Sequence, residues 1–156
     1  MGLFRKKEKS SKVKFIEGIE RFTKGEVITL SLDEDKECLV MKNLNKQIGD
    51  VYLKYEQVIM VKYMHEREIV EANKSTIGRA AVGGLLLGEV GALAGAASSA
   101  GTKKKEKLKT YIIINYKDRN GEKKVLSFET TNSNLYIVKI IKKLNEKSKL
   151  IENMYL

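Results

Sequence analysis

Proline and tryptophan are absent from the 156 residues, and cysteine and histidine occur once each, as Cys38 and His65. A single cysteine excludes an intramolecular disulfide and fits a reducing compartment. One histidine and one cysteine, far apart in sequence, leave a zinc site short of its usual ligands, so no metal is expected. Nothing marks Cys38 and His65 as a nucleophile and its base, and Cys38 reads as a core residue in a strand. The basic N-terminal stretch is not followed by an apolar core, so no secretory signal is expected. Met1-Gly2 opens like a myristoylation site, but Lys6 stands where Ser or Thr is needed. Phosphate-loop chemistry fails too. Between Gly95 and Gly101 there are five residues, and Thr102 precedes Lys103. Gly83, Gly84 and Gly88 lack the spacing of a dinucleotide-binding turn. Neither an enzyme nor a cofactor is therefore expected.

Hydrophobic residues make up 42% of the chain, enough for one folded domain of this length. The formal net charge of +10 is unevenly spread. Residues 1–14 carry +5, residues 15–76 carry −3, residues 77–102 are neutral, and residues 103–156 carry +8. The excess points to an anionic surface as partner, a membrane or nucleic acid, set against the plainer role of lysines in solubility. Tyr111, Tyr116 and Phe128 near lysines would be the stacking residues of a nucleic-acid binder. No reader motif accompanies them, so nucleic acid is the lesser expectation.

The first half reads as short strands between turns. These are Val13–Ile19, Val27–Leu32, Cys38–Met41, Ile48–Leu53 and Val58–Met64. Thr23–Glu26, Asp33–Asp35 and Asn43–Gln47 supply the turns. Glu66–Glu71 is expected to extend the fifth strand. Tyr111–Tyr116 and Val125–Phe128, joined across Asn120-Gly121, form the best hairpin signal in the chain. After Asn132 or Ser133 as cap, Leu135, Val138, Ile141 and Leu144 recur every three residues, with Ile137 beside them. They predict one amphipathic helix over residues 133–149. Its lysines, Lys139, Lys142, Lys143 and Lys149, most simply form a solvated face.

Between strands five and six lies the most informative stretch, Ile77–Ala100, 24 residues with a single charge, Glu89, in its interior. Small residues recur at spacing four, at Ala80, Gly84 and Gly88, then Gly91 and Gly95, with Ala92, Ala96 and Ala100 as a parallel row. On a helix such rows let two backbones approach closely. Six glycines between Gly78 and Gly95 make an isolated helix in water unfavourable, at about 1 kcal/mol each. Lipid, a second helix or another copy of the chain would have to compensate. The expected contact residues are Ile77, Ala80, Gly84, Leu85, Leu86, Leu87, Gly88, Val90, Gly91, Leu93 and Gly95. Flanking cations would meet an anionic surface: Lys74, Arg79, Lys103, Lys104, Lys105 and Lys107. A single transmembrane crossing is nearly long enough, at about 20 residues. Glu89 opposes it, and it would put two parts of one β-domain on opposite sides of the membrane. A helical hairpin that turns near Gly88-Glu89 and dips into one leaflet keeps both ends together. A protein-packed insert without a membrane role is the remaining option.

The order of elements resembles bacterial pleckstrin-homology-like, or GRAM-like, proteins. The resemblance rests on Glu17-Gly18-Ile19, Gly25–Leu30, Ile48–Leu53, Tyr55–Ile59, Gly78–Gly84, the turn at Asn120-Gly121 and the closing helix, and it covers most of residues 13–150. It implies seven antiparallel strands in two near-orthogonal sheets, a small barrel or sandwich capped by the C-terminal helix. It also implies a binding module, often for lipid or protein, and carries over no defined phosphoinositide site. The expected organisation is a basic tail at 1–12, the PH-like domain at 13–150 with its apolar insert at 77–102, and a short tail at 151–156. The expected function is association with the cytoplasmic face of a membrane or with a second copy of the chain. A protein-assembly module without a membrane role, of prophage type, is the alternative.

Overall fold

The computed structural model describes residues 9–44, 48–74, 85–92, 109–130 and 135–154. Runs rich in β-branched and aromatic residues form seven strands: β1 (Ser11–Glu17), β2 (Val27–Asp33), β3 (Cys38–Asn43), β4 (Val51–Lys54), β5 (Val58–His65), β6 (Thr110–Lys117) and β7 (Lys123–Thr130). All neighbours are antiparallel, in the order β4-β3-β2-β1-β7-β6-β5. The resemblance implied two sheets. Among the described residues there is one continuous open sheet, because β1 pairs with both β2 and β7. A bulge in β1 between Phe15 and Glu17 shifts the register against β7 and lets the strand bend there. Gly18 follows it with φ +115°, and a Cβ at that point would lie 2.7 Å from the Leu126 Cα. Only glycine fits so close an approach.

Inner-facing residues alternate along the strands. Val13 and Phe15, Ile28 and Leu30, Leu39 and Met41, Ile112 and Ile114, and Leu126 and Phe128 all belong to one core cluster. Phe15 anchors it through edge contact with Phe22, ring centroids 5.4 Å apart. The C-terminal helix α2 (Leu135–Met154) closes this core. Its buried residues are Ile137, Ile140 and Leu144, with Tyr136 and Ile141 partly buried beside them. Leu135 and Val138, expected on the apolar stripe, are 90% and 51% exposed. The reason is geometric. At 3.6 residues per turn, positions nine apart fall about 180° from each other, so Leu135 and Leu144 cannot share a face. Ile137, Ile140, Ile141 and Leu144 have the true helical spacing. Two hydrogen bonds fix the helix across the sheet: the Leu32 amide donates to Tyr136 Oη at 3.0 Å, and the Val61 amide to Asn145 Oδ1 at 3.2 Å.

Glu66–Lys74 does not extend β5. It is a helix, α1. Ile69 and Ala72, three apart, are its buried face, with Val70 partly buried beside them, and Glu66, Arg67, Glu68 and Glu71 are charged. Glu66 and Glu68 sit in its first turn, where the helix dipole favours them. The Glu66 amide also donates to the Lys109 carbonyl at 3.0 Å, tying the end of β5 to the start of β6.

Candidate interaction site

Strand β6 contains Tyr111-Ile112-Ile113-Ile114, all four buried. An unbroken apolar run in a strand requires cover on both faces of the sheet. Ile112 and Ile114 face the core beneath α2. Tyr111 and Ile113 join a second cluster with Ile16, Met64, Ile69, Ala72, Leu85 and Val90. The outer face of the sheet is thus roofed by α1 and by the middle of the glycine-rich insert.

The insert segment is held by polar contacts as well. The Leu86 amide donates to Asn115 Oδ1 at 2.7 Å, and Asn115 Nδ2 donates back to the Leu86 carbonyl at 2.9 Å. One side-chain amide thereby pairs with the backbone of Leu86 as a neighbouring strand would. Next, Gly88 takes φ +57° and the chain turns helical over residues 88–92. The Glu89 amide donates to Glu17 Oε1 at 2.6 Å, satisfying one of the free N–H groups at the start of that turn. A Cβ on Gly88 would run into the Glu17 carboxylate and stand 3.1 Å from Val125 Cγ1. The left-handed φ favours glycine there, and any side chain would force the Glu17 carboxylate to move. Glu89 in turn pairs with Lys24 at 3.3 Å, a half-exposed contact. Burial pushes the Glu17 carboxyl above its ordinary pKa, and the hydrogen bond from Glu89 works against that shift. Burial likewise pushes the Tyr111 phenol up to about 12, with Glu66 and Glu129 adding to it.

The expected contact residues divide accordingly. Leu85 (7% exposed) and Val90 (0%) are sealed in the outer cluster, and Gly91 is buried. Leu87 is partly buried, whereas Leu86 is 47% exposed. The expected hairpin turn at Gly88-Glu89 is the start of the helical segment seated on the sheet. Ile77, Ala80, Gly84, Leu93 and Gly95 lie outside the described residues, as do Arg79, Lys103, Lys104, Lys105 and Lys107. Lys74 is the last residue of α1. The sequence reading missed Glu17, Lys24 and Asn115. Asn115 carried a signal: it is a polar residue at the end of an apolar run, and a buried amide needs partners.

A surface groove, of about 960 Å³, lies against β2–β4 and the start of α2. Its walls mix Lys9, Lys36, Lys42 and Lys139 with Asp33, Glu34, Asp35 and Asp50, so it presents no single sign of charge. Among the described residues, no group of His, Cys, Asp or Glu could hold a metal ion, and no helix is long and apolar enough to cross a membrane.

The family model described as "Glycine zipper containing PH domain" matches residues 14–130. No curated protein matches the chain.

Proposed function

The chain belongs to the family of glycine-zipper-containing PH domains, and we propose that it is a non-catalytic interaction module that attaches to an anionic membrane surface through its glycine-rich insert and the cations beside it. The observation carrying this reading is the adjacency of the apolar stretch Ile77–Ala100 to the basic run Lys103–Lys109. Apolar contact together with a polybasic patch is the two-signal arrangement that stable anchoring needs. The fold supports surface attachment over a single crossing. Strands β5 and β6 pair from Val58↔Tyr116 to His65↔Thr110, so the insert leaves and returns at one end of one ladder. One crossing would tear that pair apart. Attachment would place the protein at the cytoplasmic face of the membrane.

Sedimentation with anionic vesicles tests the reading. Replacing Lys103, Lys104, Lys105 and Lys107 by Gln should weaken binding by two to three orders of magnitude at low salt, from about 1 kcal/mol per lysine near an anionic surface. Unchanged binding would sink it. Deleting the whole insert is a poorer test, because it also strips Leu85 and Val90 from over Tyr111 and Ile113.

Self-association is a second reading, favoured by the small-residue rows. Part of those rows is already used within the chain, since Gly88 backs onto Glu17 and Gly91 is buried. A concentration-dependent oligomer in detergent-free buffer, lost on Gly84→Leu, would support it over the membrane reading.

A further inference from the structure

The middle of the insert is attached to a sheet and an inner core that are complete without it, and it shares only the cover of the outer face. All seven strands pair with one another, and residues 85–90 add no strand to the ladder. The core beneath α2 contains no insert residue. Among the described residues, the polar attachments of 85–90 include the reciprocal Asn115 pair, the Glu17 cap and the surface ion pair of Lys24 with Glu89. Its apolar attachments are Leu85 and Val90, with Leu87 at the margin. Segments held by so few contacts open locally, well below the free energy of global unfolding. Opening leaves no polar group stranded, because Asn115, Glu17 and the Leu86 backbone would all meet water.

We infer that residues 85–90 are a releasable strap, and that its release turns Leu85, Leu86, Leu87 and Val90 from the sheet toward an anionic lipid surface. The inference rests on the reading of the insert as the membrane contact and adds to it a closed state. In the closed state two of the four apolar side chains are sealed away and Leu86 is the one that faces out. Lipid offers Leu85 and Val90 an apolar environment equivalent to the outer cluster, so the strap's own side chains lose little burial and the apolar cost falls on the sheet face it uncovers. What holds the strap shut is then its polar attachment, which lipid cannot reproduce, together with the cover it gives Tyr111 and Ile113. Tyr111 and Ile113 keep part of their cover from Ile69 and Ala72 of α1 when the strap leaves.

Two variants open the strap from different sides. Asn115→Leu removes both hydrogen bonds to Leu86. Gly88→Ala drives a methyl group into the Glu17 carboxylate at a left-handed φ, and it lies outside the sheet, so it remains informative if Asn115→Leu fails to fold. Hydrogen exchange followed by mass spectrometry should show amides of 85–92 exchanging roughly ten- to a hundred-fold faster, the range expected for losing two hydrogen bonds, with β6 and β7 unchanged. Binding to phosphatidylcholine vesicles with roughly 30% phosphatidylserine should rise several-fold. If exchange quickens but binding does not rise, the strap is merely structural and the inference is overturned. The membrane reading then stands or falls on the lysine variants alone. If 85–92 exchanges no faster than the sheet in either variant, the segment is not separately releasable, and the inference is again overturned. Failure of every chain to bind, wild type included, overturns both.

Discussion

Tyr55 opens the 3₁₀ turn between β4 and β5, is 3% exposed, and packs in the core beneath α2. Its Oη is buried and has no hydrogen-bond partner among the described residues. A buried hydroxyl without a partner costs about 1–3 kcal/mol in lost hydration. Tyr55→Phe removes that cost. It leaves a void of roughly 10–15 Å³, which at about 24 cal/mol per Å³ amounts to ~0.3 kcal/mol. The net expectation is a gain of about 1 kcal/mol, or about 2–4 °C in Tm for a chain of this size. With no tryptophan in the sequence, far-UV circular dichroism in urea is the suitable probe. The midpoint should rise with the slope unchanged. Alkaline pH adds a second arm. Burial, with Glu34 next, pushes the Tyr55 phenol up to about 12 from 10. A raised folded-state pKa contributes stability that is present below about 10 and lost as pH climbs through about 12. Tyr55→Phe lacks that loss, so its advantage over the wild type should widen across this window. A lower urea midpoint at pH 7 would refute the reasoning, because it would mean the hydroxyl is satisfied in the folded chain.

Leu144→Ala, at a fully buried position of α2, should cost about 2–5 kcal/mol in urea unfolding. Leu135→Ala, on the opposite face, should change stability by less than about 0.5 kcal/mol, and equal effects would contradict the helix orientation described above. Gly18→Ala should destabilise by at least about 2 kcal/mol, since it combines a left-handed φ with a backbone collision. Thermal melting followed by circular dichroism would detect it, and a neutral result would remove the close approach of β1 to Leu126. In a spectrophotometric titration, Tyr55 and Tyr111 should ionise near 12 while ordinary phenols titrate near 10. Ionisation of all seven tyrosines together near 10 would contradict the burial of these two.

The strands were legible because their signal is local. β-branched runs, Gly25 and Asn120-Gly121 mark strands and turns within windows of a few residues, and the hairpin of β6 and β7 formed where those residues placed it. The helix α1 was not legible as a helix. Its only apolar pair, Ile69-Val70, resembles the end of a strand, and it is the outer face of the sheet that selects Ile69 and Ala72 as its buried side. The face of α2 was misjudged for another reason: a three-residue repeat drifts around a 3.6-residue helix, and four positions are enough for it to reach the far side. The attachment of the insert depended on contacts between residues 29 and 72 positions apart, Asn115 with Leu86 and Glu17 with Glu89. No local pattern encodes such pairs. What the sequence did hold was the requirement behind them: a strand apolar on both sides, next to a buried amide, needs a roof that supplies backbone groups.

The seating of residues 85–92 divides the connection between α1 and β6 into two stretches of sequence, 10 and 17 residues long. A detached segment on tethers of that length remains at an effective concentration on the order of millimolar beside its own docking face. Any free ligand for the Tyr111–Ile113 face must therefore compete against a resident that never diffuses away. The same tethering makes opening rapidly reversible, so the domain would return to the closed form as soon as an apolar surface is withdrawn.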